Sequence, residues 1–143
     1  RPFFIEGVSG LGPVNFDVLE FQVSESGGYQ LRSDLSSESD TFTFLYKDNF
    51  DPNDPLTNLL DYGLGNGNSP LGAERGSSEI DSLLFEGERY FWVTSTFART
   101  SPLDRSFNVI TGPGIVTVIP APGTLAAFGA SCLLVSRRRR TYP

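Results

Sequence analysis

Between positions 48 and 61 the chain reads DNFDPNDPLTNLLD, which crowds Asp48, Asp51, Asp54 and Asp61 among Asn49, Asn53 and Asn58. A hard cation such as calcium takes about six to eight oxygen ligands, and connections rich in carboxylates and amides supply them. Asp48, Asp51, Asn53, Asp54 and Asp61 are therefore the candidate ligands, and calcium is the one cofactor the residues suggest. A solvated acidic turn would have the same composition. The alternate-position pattern of helix-loop-helix calcium sites fails here, because the third such position counted from Asp51 is Pro55. A second set is Tyr90 and Trp92, with Phe91 and Phe97 beside them. Two aromatics spaced by two share one face of a strand. Turned outward they make a sugar-stacking platform; turned inward they are packing residues.

Other chemistry lacks its parts. The chain has no histidine and one cysteine, Cys132, so catalysis through Ser-His or Cys-His pairs and imidazole- or thiolate-based zinc sites are excluded. Ser77 and Ser78 have no neighbouring base to activate them, and Gly63-Leu64-Gly65-Asn66-Gly67 lacks the lysine of a phosphate-binding loop. The expectation is a protein that binds rather than catalyses. Seven basic residues oppose seventeen acidic ones before position 120, a net charge of −10, while Arg137, Arg138, Arg139 and Arg140 supply the remaining basic residues near the chain end. A body of that sign repels phosphate backbones, so nucleic acid is not an expected partner.

The elements that must hold these residues read as strands. Fifteen Gly, ten Pro and 13% aromatic residues favour strands joined by turns over packed helices. Alternation runs through Phe16, Val18, Phe21 and Val23, with Leu19 breaking the period as a bulge would. Gly27-Gly28 then predicts a hairpin into Tyr29, Leu31 and Ser33. In 41–47, Phe42, Phe44 and Tyr46 fall on one side and Thr41, Thr43 and Leu45 on the other. The segment 48–61 reads as a loop tucked down by Phe50, Leu56, Leu59 and Leu60, followed by a glycine-rich connection. Further strands are predicted over 77–85, 89–97 (central, apolar on both faces), 107–111 and 115–119. The prediction is an all-β domain over 1–119, an antiparallel two-sheet β-sandwich with jelly-roll-like order. A chain that begins at Arg1 fits either a product freed of an N-terminal signal or a truncated one.

The body resembles the pre-peptidase C-terminal domain, a β-sandwich found beside secreted bacterial peptidases. Carrying that resemblance are Gly28-Tyr29-Gln30-Leu31, Phe42-Thr43-Phe44-Leu45-Tyr46 leading to Phe50-Asp51-Pro52, Gly87 with Tyr90-Phe91-Trp92-Val93-Thr94, and Phe107 through Gly112-Pro113-Gly114. It implies an exported module, with two further readings: a calcium-dependent glycan-binding or adhesion module, or an accessory domain of a secreted hydrolase. Where the relatives carry paired aspartates, Asp61 stands alone before Tyr62.

Positions 120–143 form a separate segment: Pro120-Ala121-Pro122, the apolar run LAAFGASCLLV over 125–135, then the four arginines. Eleven apolar residues are too few for a comfortable bilayer crossing, which takes about twenty. They suit a short hydrophobic helix whose arginines stay at the cytoplasmic surface. This order is similar to the PEP-CTERM sorting signal of exported bacterial proteins, with Ala121 in place of the acidic residue and Thr141-Tyr142-Pro143 trailing the cluster. The resemblance implies handling by an exosortase-type processing enzyme, transient inner-membrane insertion through 123–136, delivery to the cell surface or extracellular matrix, and association with exopolysaccharide.

Overall fold

The computed structural model describes residues 2–4, 7–8, 10, 13–35, 41–64, 77–96 and 106–120. Ten strands follow in order: β1 (Pro2–Phe4), β2 (Gly7–Val8), β3 (Phe16–Val23), β4 (Gly27–Leu35), β5 (Thr41–Lys47), β6 (Leu59–Leu64), β7 (Ser77–Leu84), β8 (Tyr90–Thr96), β9 (Ser106–Thr111) and β10 (Val116–Val118). No helix occurs among the described residues, and the terminal helix expected after position 122 lies outside them. A five-stranded sheet in the order β10-β3-β8-β5-β6 and a three-stranded sheet in the order β7-β4-β9 make up the body, with β1 and β2 as a two-stranded ribbon. Every pairing is antiparallel. As expected, β8 is central, between β3 and β5.

The core lies between the two sheets. Phe21 and Val23 of β3, Leu45 of β5 and Tyr90 and Trp92 of β8 meet Tyr29 and Leu31 of β4 and Ile80 and Leu84 of β7, all 2% exposed or less. One rung across the larger sheet reads Leu19, Trp92, Leu45, so Trp92 is flanked by leucines on both neighbouring strands. Transfer of such side chains from water contributes about 1.5–3 kcal/mol each, which is what holds two sheets face to face.

Three expectations change. The glycines after β3 do not close a hairpin: β3 pairs with β8 and β10, whereas β4 pairs with β7 and β9, so the chain crosses between sheets at Ser24-Glu25-Ser26. Crossing there lets Phe21 and Tyr29 enter the same core from opposite sides, which a local pair could not do. Leu19 does not mark a bulge, because the register from Phe16 to Phe21 against β8 is regular. The strand instead carries apolar residues on both faces, with Phe16 and Val18 outward and Leu19, Phe21 and Val23 inward. Finally, the loop expected over 48–61 ends earlier, since Leu59–Leu64 is the edge strand β6, and Leu60 is exposed rather than tucked down.

The β5 alternation resolves in an instructive way. Its inner face is Thr41, Thr43 and Leu45, and its aromatic face, Phe42, Phe44 and Tyr46, points away from the smaller sheet. That outward face forms a second cluster with Val93, covered by Phe50 and Leu59 from the 48–58 connection and its exit.

Candidate functional site

The 48–58 connection is pinned at both ends. Asp48 N donates to Arg89 O at 2.9 Å and Lys47 N to Asn58 O at 3.0 Å. Asp48 (φ 67°) and Asn58 (φ 63°) both take the left-handed conformation, which Asp and Asn tolerate better than other side-chain-bearing residues. Inside the loop, Asp51 Oδ1 accepts from Asn53 N at 2.8 Å and Asn53 Nδ2 at 3.1 Å, and Asp54 Oδ2 accepts from Thr57 Oγ1 at 2.8 Å. These are side-chain-to-backbone and side-chain locks of the kind Asp supplies in turns. Each acidic residue of the loop thus has a conformational role.

The five residues considered for calcium do not come together as one group. Asp48, Asp51, Asn53 and Asp54 are exposed on the loop, whereas Asp61 sits half-buried on β6 opposite Leu45. Among the described residues no three acidic, cysteine or histidine side chains converge. Asp61 Oδ1 accepts from Tyr62 N at 2.8 Å, yet burial pushes its carboxyl above the usual range, and Asp81 nearby adds to the rise. A folded state that holds the proton more tightly than the unfolded chain loses stability as pH climbs from the ordinary carboxylate value through the raised one. Asp61→Asn is therefore expected to raise the melting temperature at pH 7 and to leave it unchanged near pH 3, about where the ordinary carboxylate is protonated. Melting curves at both values check this, and a loss of stability at pH 7 would mean that the ionised carboxylate contributes favourably.

Tyr90 and Trp92 are each 1% exposed on the inner face. The stacking-platform reading is corrected accordingly: neither ring has an open face. Tyr90 packs at 5.7 Å from Phe21, accepts from Phe85 N at 2.8 Å and donates to Glu88 Oε2 at 3.0 Å. Glu88 in turn receives Lys47 Nζ at 2.7 Å, which holds its carboxyl below the usual range. Trp92 Nε1 and the hydroxyls of Thr43 and Thr94 are buried without a hydrogen-bond partner, so the inner face grows polar toward the Thr41–Thr96 end.

Concavity occurs instead on the outer face of the larger sheet, where a pocket of about 240 Å³ opens over β3, β8 and β5. Phe44, Val93 and Ser95 belong to the sheet beneath it, and Phe16, Tyr46 and Phe50 complete an aromatic lining. Phe50 from the loop meets Tyr46 at 4.8 Å and Phe16 edge-on at 5.6 Å, which joins the loop to the sheet across the opening. Tyr46 donates its hydroxyl to Pro55 O at 2.9 Å, and burial pushes its phenol well above the ordinary tyrosine range, so it stays neutral. Pro2, Pro13, Pro52 and Pro55 contribute a rigid rim. Among the described residues no charged side chain lines the pocket, and the Ser95 hydroxyl is buried without a partner. Such a site takes an apolar group by desolvation and offers one hydroxyl to orient it. The sequence contained one trace of it, the Phe42, Phe44, Tyr46 row, which reads equally well as core.

Of the sorting-segment residues, Pro120 is described and exposed, while Ala121, Pro122 and Arg137–Arg140 lie outside the described residues. No helix among the described residues is long and apolar enough to cross a membrane. Known protein families, curated proteins and solved structures yield no match to the chain.

Proposed function

We propose that the chain is an exported, non-enzymatic protein of the cell surface or extracellular matrix: a jelly-roll-like sandwich body over 1–119 joined to a sorting segment over 120–143 whose apolar run forms a short helix. The observation that carries this reading is the order Pro120-Ala121-Pro122, apolar run, Arg137–Arg140, placed directly after the last of the described strands. The position of that strand supports it. β10 is a three-residue edge strand held to β3 alone, and Ile119 N, donating to Glu20 O at 2.8 Å, makes the last sheet-like bond before Pro120. Every described paired residue of the two sheets precedes Pro120, so a cut at 120–122 leaves all the described pairings within the body. An exosortase-type enzyme is the processing partner, the membrane is met transiently through 123–136, and exopolysaccharide is the associated material.

Intact mass of the protein recovered from the surface or medium of producing cells tests this. The expected mass corresponds to a chain ending near 120–122, with replacement of Arg137–Arg140 by alanine causing the full-length form to accumulate in the cell. Full-length chain, arginines included, free in the medium would overturn the proposal.

A further inference from the structure

We infer that the outer-face pocket is a binding site for a small neutral aromatic molecule bearing one hydrogen-bonding group, of the phenol or indole kind. The inference rests on the body alone and stands apart from the sorting reading of 120–143.

The sheet makes the hollow by placing one small residue among large ones. On the outer face of β8 the register sets Ser95 opposite Phe16 of β3 on one side and Phe42 of β5 on the other, and two residues back Val93 lies beside Phe44. A serine in that row leaves a gap where its neighbours raise rings. Phe50 from the 48–58 connection walls the gap, meeting Tyr46 at 4.8 Å and Phe16 at 5.6 Å. The hydroxyl at the bottom is the group that points to a ligand: Ser95 is 1% exposed, lines the pocket, and its Oγ has no hydrogen-bond partner. That oxygen has already lost its water in the free protein, so a ligand that offers it a partner gains a bond without a new desolvation cost. A serine hydroxyl turns among three staggered positions about χ1, which lets it follow the ligand.

Size and polarity then select the class. A cavity of about 150 Å³ lined by apolar side chains holds benzene, and by the same proportion a pocket of about 240 Å³ holds roughly nine or ten non-hydrogen atoms. That is one substituted ring or two small fused ones. The lining rings of Phe16, Phe44, Tyr46 and Phe50 favour an aromatic guest over an aliphatic one of equal size, through edge-to-face and offset contacts. Charge is disfavoured: among the described residues no charged side chain lines the pocket, so a cation finds no carboxylate within it. Anions are further opposed by Asp48, Asp51 and Asp54, exposed on the loop that supplies the rim. A pyranose fails for another reason. It brings several hydroxyls to a lining whose other polar side chains are engaged, Tyr46 donating to Pro55 O and Asn53 Nδ2 to Asp51 Oδ1, and unmatched hydroxyls oppose burial.

Titration of the isotope-enriched full chain, followed by backbone amide signals, tests this. Indole and p-cresol are expected to shift Phe16, Phe44, Phe50 and Ser95 saturably, one molecule per chain with a Kd below about 1 mM, and to leave Gln30, Asp81 and Val109 on the smaller sheet in place. Toluene should bind the same site more weakly, and p-toluate, choline and methyl glucoside should leave the pocket signals unmoved. Ser95→Ala should weaken p-cresol about five- to tenfold, the worth of one hydrogen bond, with toluene unchanged. Its melting temperature, equal to or above the parent's because an orphaned hydroxyl is gone, shows that the fold survives. The absence of saturable shifts at the pocket overturns the inference. So does p-toluate, choline or methyl glucoside binding as tightly as p-cresol, toluene matching p-cresol in the parent protein, or Ser95→Ala changing the two affinities alike.

Discussion

Replacing Trp92 by alanine is expected to unfold the body rather than to weaken a surface contact. Its indole is 1% exposed, lies between Leu19 and Leu45 on one sheet, and belongs to the cluster formed with Tyr29, Leu31, Ile80 and Leu84 on the other. Truncating a buried tryptophan removes its transfer energy and leaves a cavity, together costing about 3–5 kcal/mol. Domains of this kind have only about 5–15 kcal/mol in all, so a variant this weak sits near its threshold at ambient temperature. Urea unfolding followed by circular dichroism measures the shift. Trp92→Phe is the informative control: it keeps an aromatic ring in the core and removes an indole N–H that has no partner, so its cost falls well below that of alanine. A Trp92→Ala protein that unfolds at the same urea concentration as the parent would show that the ring does not bridge the sheets.

That result also marks where reading the residues in order succeeds. In β5 and β8 the alternation is visible because neighbours on one face recur every second residue, and the face assignments made from it hold. What alternation cannot state is which face looks into the core. The Phe42, Phe44, Tyr46 row is the more apolar face of β5, yet it points outward, because the inner side at that level is filled by Thr41, Thr43 and the partners of β7. The strand β6 was hidden for a related reason. Leu59-Leu60-Asp61-Tyr62-Gly63 has no clean period, and the need for Gly63 arises from a distant neighbour: a Cβ there would come within 2.8 Å of Thr43 Oγ1 and crowd the Glu79 carbonyl. Likewise a Gly-Gly pair after a strand looks the same whether the chain folds back on its own sheet or crosses to the next. The pocket is the extreme case, since its lining runs from Pro2 to Ser95 and no local spacing joins those residues.

The loop over 48–58 shows the converse, a composition that suggests cation binding and that also has a conformational use. Asp and Asn at both ends are explained by left-handed backbone, and those within by turn-locking hydrogen bonds. The loop is thereby a stiff cover for an aromatic surface, and its carboxylates remain on the outside.

A methyl group at Gly112 is expected to be the most damaging small change outside the core cluster. A Cβ there would overlap the ring of Tyr29, which is 2% exposed and fixed at its far end, donating to Glu25 O at 2.8 Å and accepting from Gly114 N at 3.0 Å. The same tyrosine therefore ties the crossing turn after β3 to the Gly112-Pro113-Gly114 turn before β10, and a Cβ at Gly27 would press on Pro113 from the opposite side. To admit the methyl, the ring must swing and release both bonds, or the β9–β10 turn must lift away. Overpacking costs about 1–3 kcal/mol and each hydrogen bond about 1 kcal/mol, so Gly112→Ala should lose more stability than Tyr29→Phe, which forfeits the bonds alone. A double-mutant cycle isolates the cause. In a Tyr29→Ala background the obstructing ring is gone, and Gly112→Ala should then cost little beyond its first value's small remainder; equal costs in both backgrounds would show that the strain lies in the turn itself and not in its contact with Tyr29.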